Sequence, residues 1–129
     1  MSRFLLDTHV FIWLVNGKGT IGPNCFAAIV DPENDVYISY FSLFEIIIKA
    51  QTGKASFSSR IIDQLREVHV ELLMPDTELL HSYRIFNEHN KDPFDNALLA
   101  TALHHDLTLL TSDHKMLKVQ EVKILEASQ

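Results

Sequence analysis

Short apolar runs alternate along this chain with longer stretches of helical period, and that alternation most restricts the fold it can adopt. Arg3–Leu6 reads as a short buried strand, and Thr8–Val15 as a largely apolar helix stopped by Asn16-Gly17. Pro23 opens a helix through about Val30, ended by Asp31-Pro32. Val36–Ser39 is a second strand, Ser42–Gln51 a helix closed by Thr52-Gly53, and Arg60–Val68 an amphipathic segment. Val70–Leu73, Leu107–Leu110 and Val122–Leu125 complete the strands. Asp76–Phe86, Pro93–His105 and a short turn at Asp113–Leu117 complete the helices, with Asn87–Lys91 a polar loop. Strands alternating with helices predict an α/β fold on a mainly parallel sheet. Ligands of such sheets sit beyond the carboxyl ends of the strands. Asp7 follows the first strand and Thr111-Ser112-Asp113 the fourth, so these are the first residues to consider.

With 129 residues, 47% hydrophobic and 22% charged, the chain has the makings of a single globular domain, 1–129, with its own core. Cys25 is the sole cysteine, which excludes an intrachain disulfide and a zinc site built on thiolates, and fits a reducing compartment. Asp7 breaks the first apolar run, and no stretch of about 20 apolar residues follows. The expectation is a cytoplasmic protein without a membrane partner. A balance of 11 basic against 17 acidic residues gives −6, so the chain has no general electrostatic pull on nucleic acid. Acids gathered around a cation would count in that total without making the loaded site negative.

Four patterns each place a carboxylate at a strand end or in a first helical turn: Leu5-Leu6-Asp7-Thr8, Ser42-Leu43-Phe44-Glu45, Asp92-Pro93-Phe94-Asp95-Asn96 and Leu110-Thr111-Ser112-Asp113. Each acid has an ordinary structural use. Asp92 before Pro93 is an N-cap followed by proline at N1, and Asp95 at N3 suits the helix dipole. Ser42 and Glu45 match a capping box, Glu45 has Lys49 four residues on, and Asp113 caps the next turn. Asp7 differs, because the chain beyond it stays apolar through Val10-Phe11-Ile12-Trp13-Leu14, so its carboxylate is expected to be buried and to need a partner. If the four converge, they form an oxygen-only set that suits Mg²⁺ or Mn²⁺. Two like charges about 4 Å apart cost roughly 4 kcal/mol at an effective dielectric near 20, so converging acids require a cation or raised pKa values.

The same motifs, in this order and followed by Leu98-Leu99-Ala100-Thr101-Ala102 after Asp95, resemble those of the PIN-domain ribonucleases, in particular the VapC-like toxins of toxin–antitoxin pairs. The resemblance spans essentially the whole chain. It implies a three-layer α/β/α sandwich and an Mg²⁺- or Mn²⁺-dependent endoribonuclease that hydrolyses RNA with metal-activated water. By position, Asp7, Glu45, Asp95 and Asp113 match the family's acidic quartet of catalytic and metal-binding residues. Asp92 matches an extra acid and Thr111 a hydroxyl near the metal. The resemblance also implies RNA as substrate and a cognate antitoxin as partner. Two positions depart from the pattern: Asn90-Lys91, with His89 one place early, stands where His-Arg is usual, and Asn96 where Arg is usual. Both departures concern positive charge beside the site, not the carboxylates.

Other readings are weaker. A haloacid-dehalogenase-like phosphatase needs a second Asp where His9 stands, and a receiver domain needs an acid pair that is missing. A catalytically weakened PIN-like domain acting as a protein-binding module is the alternative function. His104 and His105 are neighbours on a helix, pointing about 100° apart, and are not expected to chelate together. His9, near Asp7, reads as a residue supporting the metal ligands or, in preference, as a packing residue; His69, His81, His89 and His114 read as surface residues. Trp13, Phe11, Tyr37, Tyr40, Phe41 and Phe44 read mostly as core, with Tyr40 and Phe41 close enough to the acids to touch a base. Lys49, Lys54, Arg60 and Arg66 read as a solvated face or an RNA path. Phe11, Ile12, Trp13, Phe26 and Ile29 carry more apolar surface than one small core needs, which predicts a homodimer that also binds an amphipathic antitoxin segment.

Overall fold

The computed structural model describes residues 1–17, 21–53, 63–86 and 92–129. In chain order the elements are β1 (Arg3–Leu6), α1 (Thr8–Asn16), α2 (Pro23–Val30), β2 (Asp35–Ser39), α3 (Tyr40–Gln51), a 3₁₀ turn (Asp63–Arg66), β3 (Glu71–Leu73), α4 (Leu79–Phe86), α5 (Pro93–His105), β4 (Thr108–Thr111), α6 (His114–Leu117) and β5 (Ile124–Glu126). The five strands form one sheet in the order β3-β2-β1-β4-β5, and every pairing is parallel.

Alternation along the strands sorts the core into two layers. Phe4 and Leu6 of β1, with Leu110 of β4, join Val10, Phe11, Cys25, Ile29 and Ile46 from α1, α2 and α3. Leu5 and Leu109, one residue out of phase, join Leu79, Phe86, Leu98, Leu99 and Met116 from α4, α5 and α6. Helices therefore cover both faces of the sheet, giving the α/β/α sandwich expected from the sequence. A sheet buried on both faces needs strands apolar at successive positions, which is how Phe4-Leu5-Leu6 and Leu109-Leu110 read.

Local signals behave as their chemistry requires. Gly17 ends α1 in the left-handed region (φ 66°), with its N–H bonded to Trp13 O at 2.9 Å. Asp92 caps α5, accepting from Phe94 N at 2.9 Å and Asp95 N at 3.3 Å, with Pro93 at N1.

Other boundaries move. Helix α3 begins at Tyr40, and its N-cap is Ser39, which accepts from Phe41 N at 3.0 Å. The capping box expected at Ser42 and Glu45 is therefore not formed; Ser42 lies inside the helix and is buried. Helix α4 starts later than expected, at Leu79, whose N–H donates to Asp76 Oδ1 at 3.1 Å. Within Arg60–Val68 the described part holds a 3₁₀ turn, Asp63–Arg66, and Leu65 and Val68 pack against the core. The loop Asn87–Lys91, with His89, Asn90 and Lys91, and residues Lys54, Arg60, Ile61 and Ile62 lie outside the described residues. Among the described residues no helix is long and apolar enough to cross a membrane.

Candidate functional site

The chain runs from β1 outward to β2 and β3, then returns to the other side of β1 for β4 and β5. The direction of winding reverses between β1 and β4, and the crevice beyond the carboxyl ends of those two strands is where a parallel sheet offers a ligand site. Asp7 follows β1 there, and Ser112 and Asp113 follow β4.

Asp7 is 5% exposed. Its backbone N–H donates to Leu110 O at 2.9 Å, continuing the β1–β4 pairing by one residue. Its Oδ2 accepts from the buried Thr111 hydroxyl at 2.7 Å, and the same Oγ1 accepts from Asp113 N at 3.0 Å. Thr111 thereby ties the two acids across the crevice. Burial holds the Asp7 carboxyl above its ordinary pKa; the Thr111 hydroxyl, the His9 charge and the Thr8 backbone pull it down, and the Glu45 charge pushes it further up. A pocket of about 200 Å³ opens here, lined by Asp7, His9, Trp13, Ser112 and Asp113. Ser112 Oγ is buried in this wall without a hydrogen-bond partner among the described residues.

Glu45 reaches the site from α3, where it is 4% exposed. Thr8 Oγ1 donates to its Oε1 at 2.8 Å and shares a hydroxyl–hydroxyl hydrogen bond of 2.9 Å with Ser42 Oγ. Lys49 Nζ is 2.8 Å from Glu45 Oε2, one helical turn on. Burial lowers the Lys49 ammonium's pKa, but the Glu45 carboxylate outweighs this, with the charges of Asp92 and Asp95 adding to it, and the net shift is upward. At the N-terminus of α5, whose charges Lys49 feels, Asp95 is half-buried and Asp92 exposed. Asp113 caps α6 through Lys115 N, at 2.8 Å, while lining the pocket.

The structure therefore brings Asp7, Thr111 and Asp113 into one hydrogen-bonded chain, and leaves Glu45 within electrostatic reach of Asp7, and Asp92 and Asp95 within that of Lys49. No three of these acids bring ligand oxygens within 4.8 Å of one another; among the described residues only Asp76, His104 and His105 do so. Apart from His9, the donors lining the pocket are oxygen atoms, the Asp7 and Asp113 carboxylates and the buried Ser112 hydroxyl, which fits a hard divalent cation.

Several expectations are corrected. His9 does not pack; it is exposed and lines the pocket, because it lies on the same face of α1 as Trp13, four residues on. Trp13 both packs against the core and lines that pocket. Tyr40 and Phe44 are exposed, on the outer face of α3, while Tyr37 and Phe41 pack inward. Phe11 and Ile29 are buried within the molecule, so of the early apolar residues expected at a partner surface Phe26 stays exposed, joined by Val30. His104 and His105 meet, with ring centroids 4.7 Å apart, since side-chain rotation at the helix end overcomes the angle between their Cβ directions. His69, His81 and His114 are exposed, as expected. The Glu45–Lys49 ion pair expected from their four-residue spacing is formed, whereas the hydrogen bonds of Thr8 to Glu45 and Ser42 were not legible in the sequence.

An all-parallel α/β sandwich with a carboxylate pocket at its switch point is the class that fold and geometry define. The family model of the PIN domain matches residues 4–122, and the chain belongs to that family. No curated protein matches it. Among solved structures it shares its fold with a chain of VapBC-1 from nontypeable Haemophilus influenzae (20% identity over 98% of this chain and 99% of that one, TM-score 0.72). A chain of DNA-bound VapBC from Salmonella typhimurium is similar at 21% identity, over 97% and 98%, with a TM-score of 0.71. A chain of VapBC2 from Rickettsia felis, bound to a promoter DNA fragment, is similar at 14% identity, over 95% and 97%, with a TM-score of 0.71.

Proposed function

We propose that this protein is a single PIN-like domain acting as the toxin of a toxin–antitoxin pair, a metal-dependent endoribonuclease of the VapC type. The observation that carries the reading is the buried Asp7 carboxylate at the end of the central strand, tied through Thr111 to Asp113 and coupled to Glu45. Asp7, Glu45, Asp95 and Asp113 are the residues that would hold Mg²⁺ or Mn²⁺, which supplies Lewis acidity toward a phosphoryl oxygen and a lowered pKa for water. Thr111 fixes the Asp7 carboxylate, and Thr8 and Lys49 fix that of Glu45. His9 and Trp13 form the pocket wall against which an RNA backbone and base would lie. The chain offers no thiol nucleophile there, since Cys25 is buried in the core.

Exposed apolar surface supports protein partners. Tyr40, Phe44, Leu80 and Phe94 line a groove of about 410 Å³ beside α3, α4 and α5, and Phe26 and Val30 stand out from α2. A second copy and an antitoxin segment are the occupants this reading requires.

The test is cleavage of RNA by the purified chain with Mg²⁺ or Mn²⁺ and with a chelator. Wild type is expected to cleave only with metal, and Asp7→Asn to lose at least about 100-fold in rate. Cleavage that ignores the chelator or survives Asp7→Asn would overturn the assignment.

The separation of the acids and the hold of Lys49 on Glu45 favour one second reading, a weakened domain that serves as a binding module. That reading expects antitoxin binding, measured by light scattering, without metal-dependent cleavage.

A further inference from the structure

A second cluster of metal-ligating groups lies toward the opposite end of the strands. Arg3, at the start of β1, donates to His105 O at 3.0 Å, whereas Asp7 follows the end of that strand. The four residues of β1 rise by about 13 Å, which separates the two regions. His104 and His105 end α5, and Asp76 precedes α4, whose first N–H it caps. His104 Nε2 is 3.3 Å from Asp76 Oδ1 and 3.4 Å from Oδ2. One ligand atom from each of the three residues lies within 4.8 Å of the other two. We propose that Asp76, His104 and His105 form a site for a borderline transition-metal cation, Zn²⁺ or Ni²⁺, distinct from the Asp7 pocket.

The chemistry and the position agree. Two imidazoles and one carboxylate suit Zn²⁺ or Ni²⁺, whereas Mg²⁺ takes oxygen donors. Zinc bonds of about 2.0–2.1 Å place tetrahedral neighbours about 3.3 Å apart. The His104–Asp76 pair already has that separation, and rotation of half-buried His105 closes the rest. The site sits at the C-terminal end of a 13-residue helix, where the exposed carbonyls favour a cation. Asp106, in the left-handed conformation (φ 55°), ends the helix directly after His105, and the His104 and Asp76 side chains are 26% and 53% exposed. The nearby Arg3 charge opposes metal, but its guanidinium is engaged by the His105 carbonyl and lies 5.8 Å from the Tyr37 ring centroid. A metal here would clip the start of α4 to the end of α5, raising stability without touching the acid pocket.

The test is calorimetric titration of the chelator-treated full chain with Zn²⁺, and separately with Ni²⁺, in excess Mg²⁺. One site per chain is expected, retained in Asp7→Asn. His104→Gln and His105→Gln should each weaken it more than about tenfold, the least that even an outer-ligand change costs. Asp76→Asn, which keeps the helix cap, should weaken it likewise. Zn²⁺ should raise the melting temperature of wild type but not of His104→Gln, and should shift the ring-proton resonances of His104 and His105. Binding that survives the double histidine variant, binding that disappears in Asp7→Asn, or no binding at micromolar Zn²⁺ or Ni²⁺ would each overturn the proposal. Retained RNA cleavage in His104→Gln keeps this outcome separate from that of the nuclease assignment.

Discussion

A carboxylate buried at a strand end affects stability in a direction that can be worked out. Burial raises the Asp7 pKa above its unfolded value, so the folded state holds the proton more tightly. Stability from this group is therefore fully present below the ordinary carboxylate value and is lost as pH rises through the raised one. In metal-free protein, Asp7→Asn is expected to raise the urea midpoint at pH 7 and to leave it unchanged below about pH 3, where both side chains are neutral. An unchanged midpoint at pH 7 would mean that Thr111 and His9 fully offset the burial. Cys25 gives a second case. Burial pushes its thiol up to about 11, and it is 0% exposed. Native protein at pH 8 should react with a disulfide reagent only as fast as it unfolds, and in denaturant at once. Above about pH 9, ionisation of the unfolded-state thiol adds a destabilising slope, since the folded state resists losing that proton.

At the scale of elements, α5 shows how one helix serves both core and site. Asn96 through Ala102 are all buried, so the helix is covered nearly all round by α4 and the sheet. Its first turn instead projects into the acid region, with Asp92 capping and Asp95 at N3. Removing the cap in Asp92→Ala should cost about 1 kcal/mol in chemical denaturation, and Asp92→Asn much less. Asn96, where the resemblance expects arginine, opens that buried run. Helix α3 divides its residues in the same way: Ile46 enters the core, Glu45 the site, and Phe44 the solvent.

At the scale of the whole molecule, the C-terminus closes the fold against α2. Gly22 N donates to Ala127 O at 2.8 Å, and Asn24 N to Gln129 O at 2.8 Å. A Cβ at Gly22 would run into the backbone of Ser128 and Gln129, which has no rotamer to yield. Gly22→Ala should therefore cost about 1–3 kcal/mol and increase amide exchange in the last residues. Features set by local chemistry were readable from the residues. Apolar runs such as Phe4-Leu5-Leu6 marked strands, Asn16-Gly17 and Asp92-Pro93 marked helix ends, and Asp7 stood out as an acid with an apolar sequel. These features rest on hydrogen bonds and periodicities within a few residues. Tertiary structure alone decided that β4 lies beside β1, which lets Thr111 reach Asp7 across 104 residues of sequence. It also decided that Thr8 rather than Ser42 holds Glu45, that Tyr40 and Phe44 face outward, and that His104 meets both His105 and Asp76. Each depends on strand order and on which face of an element meets another, and long-range packing sets both.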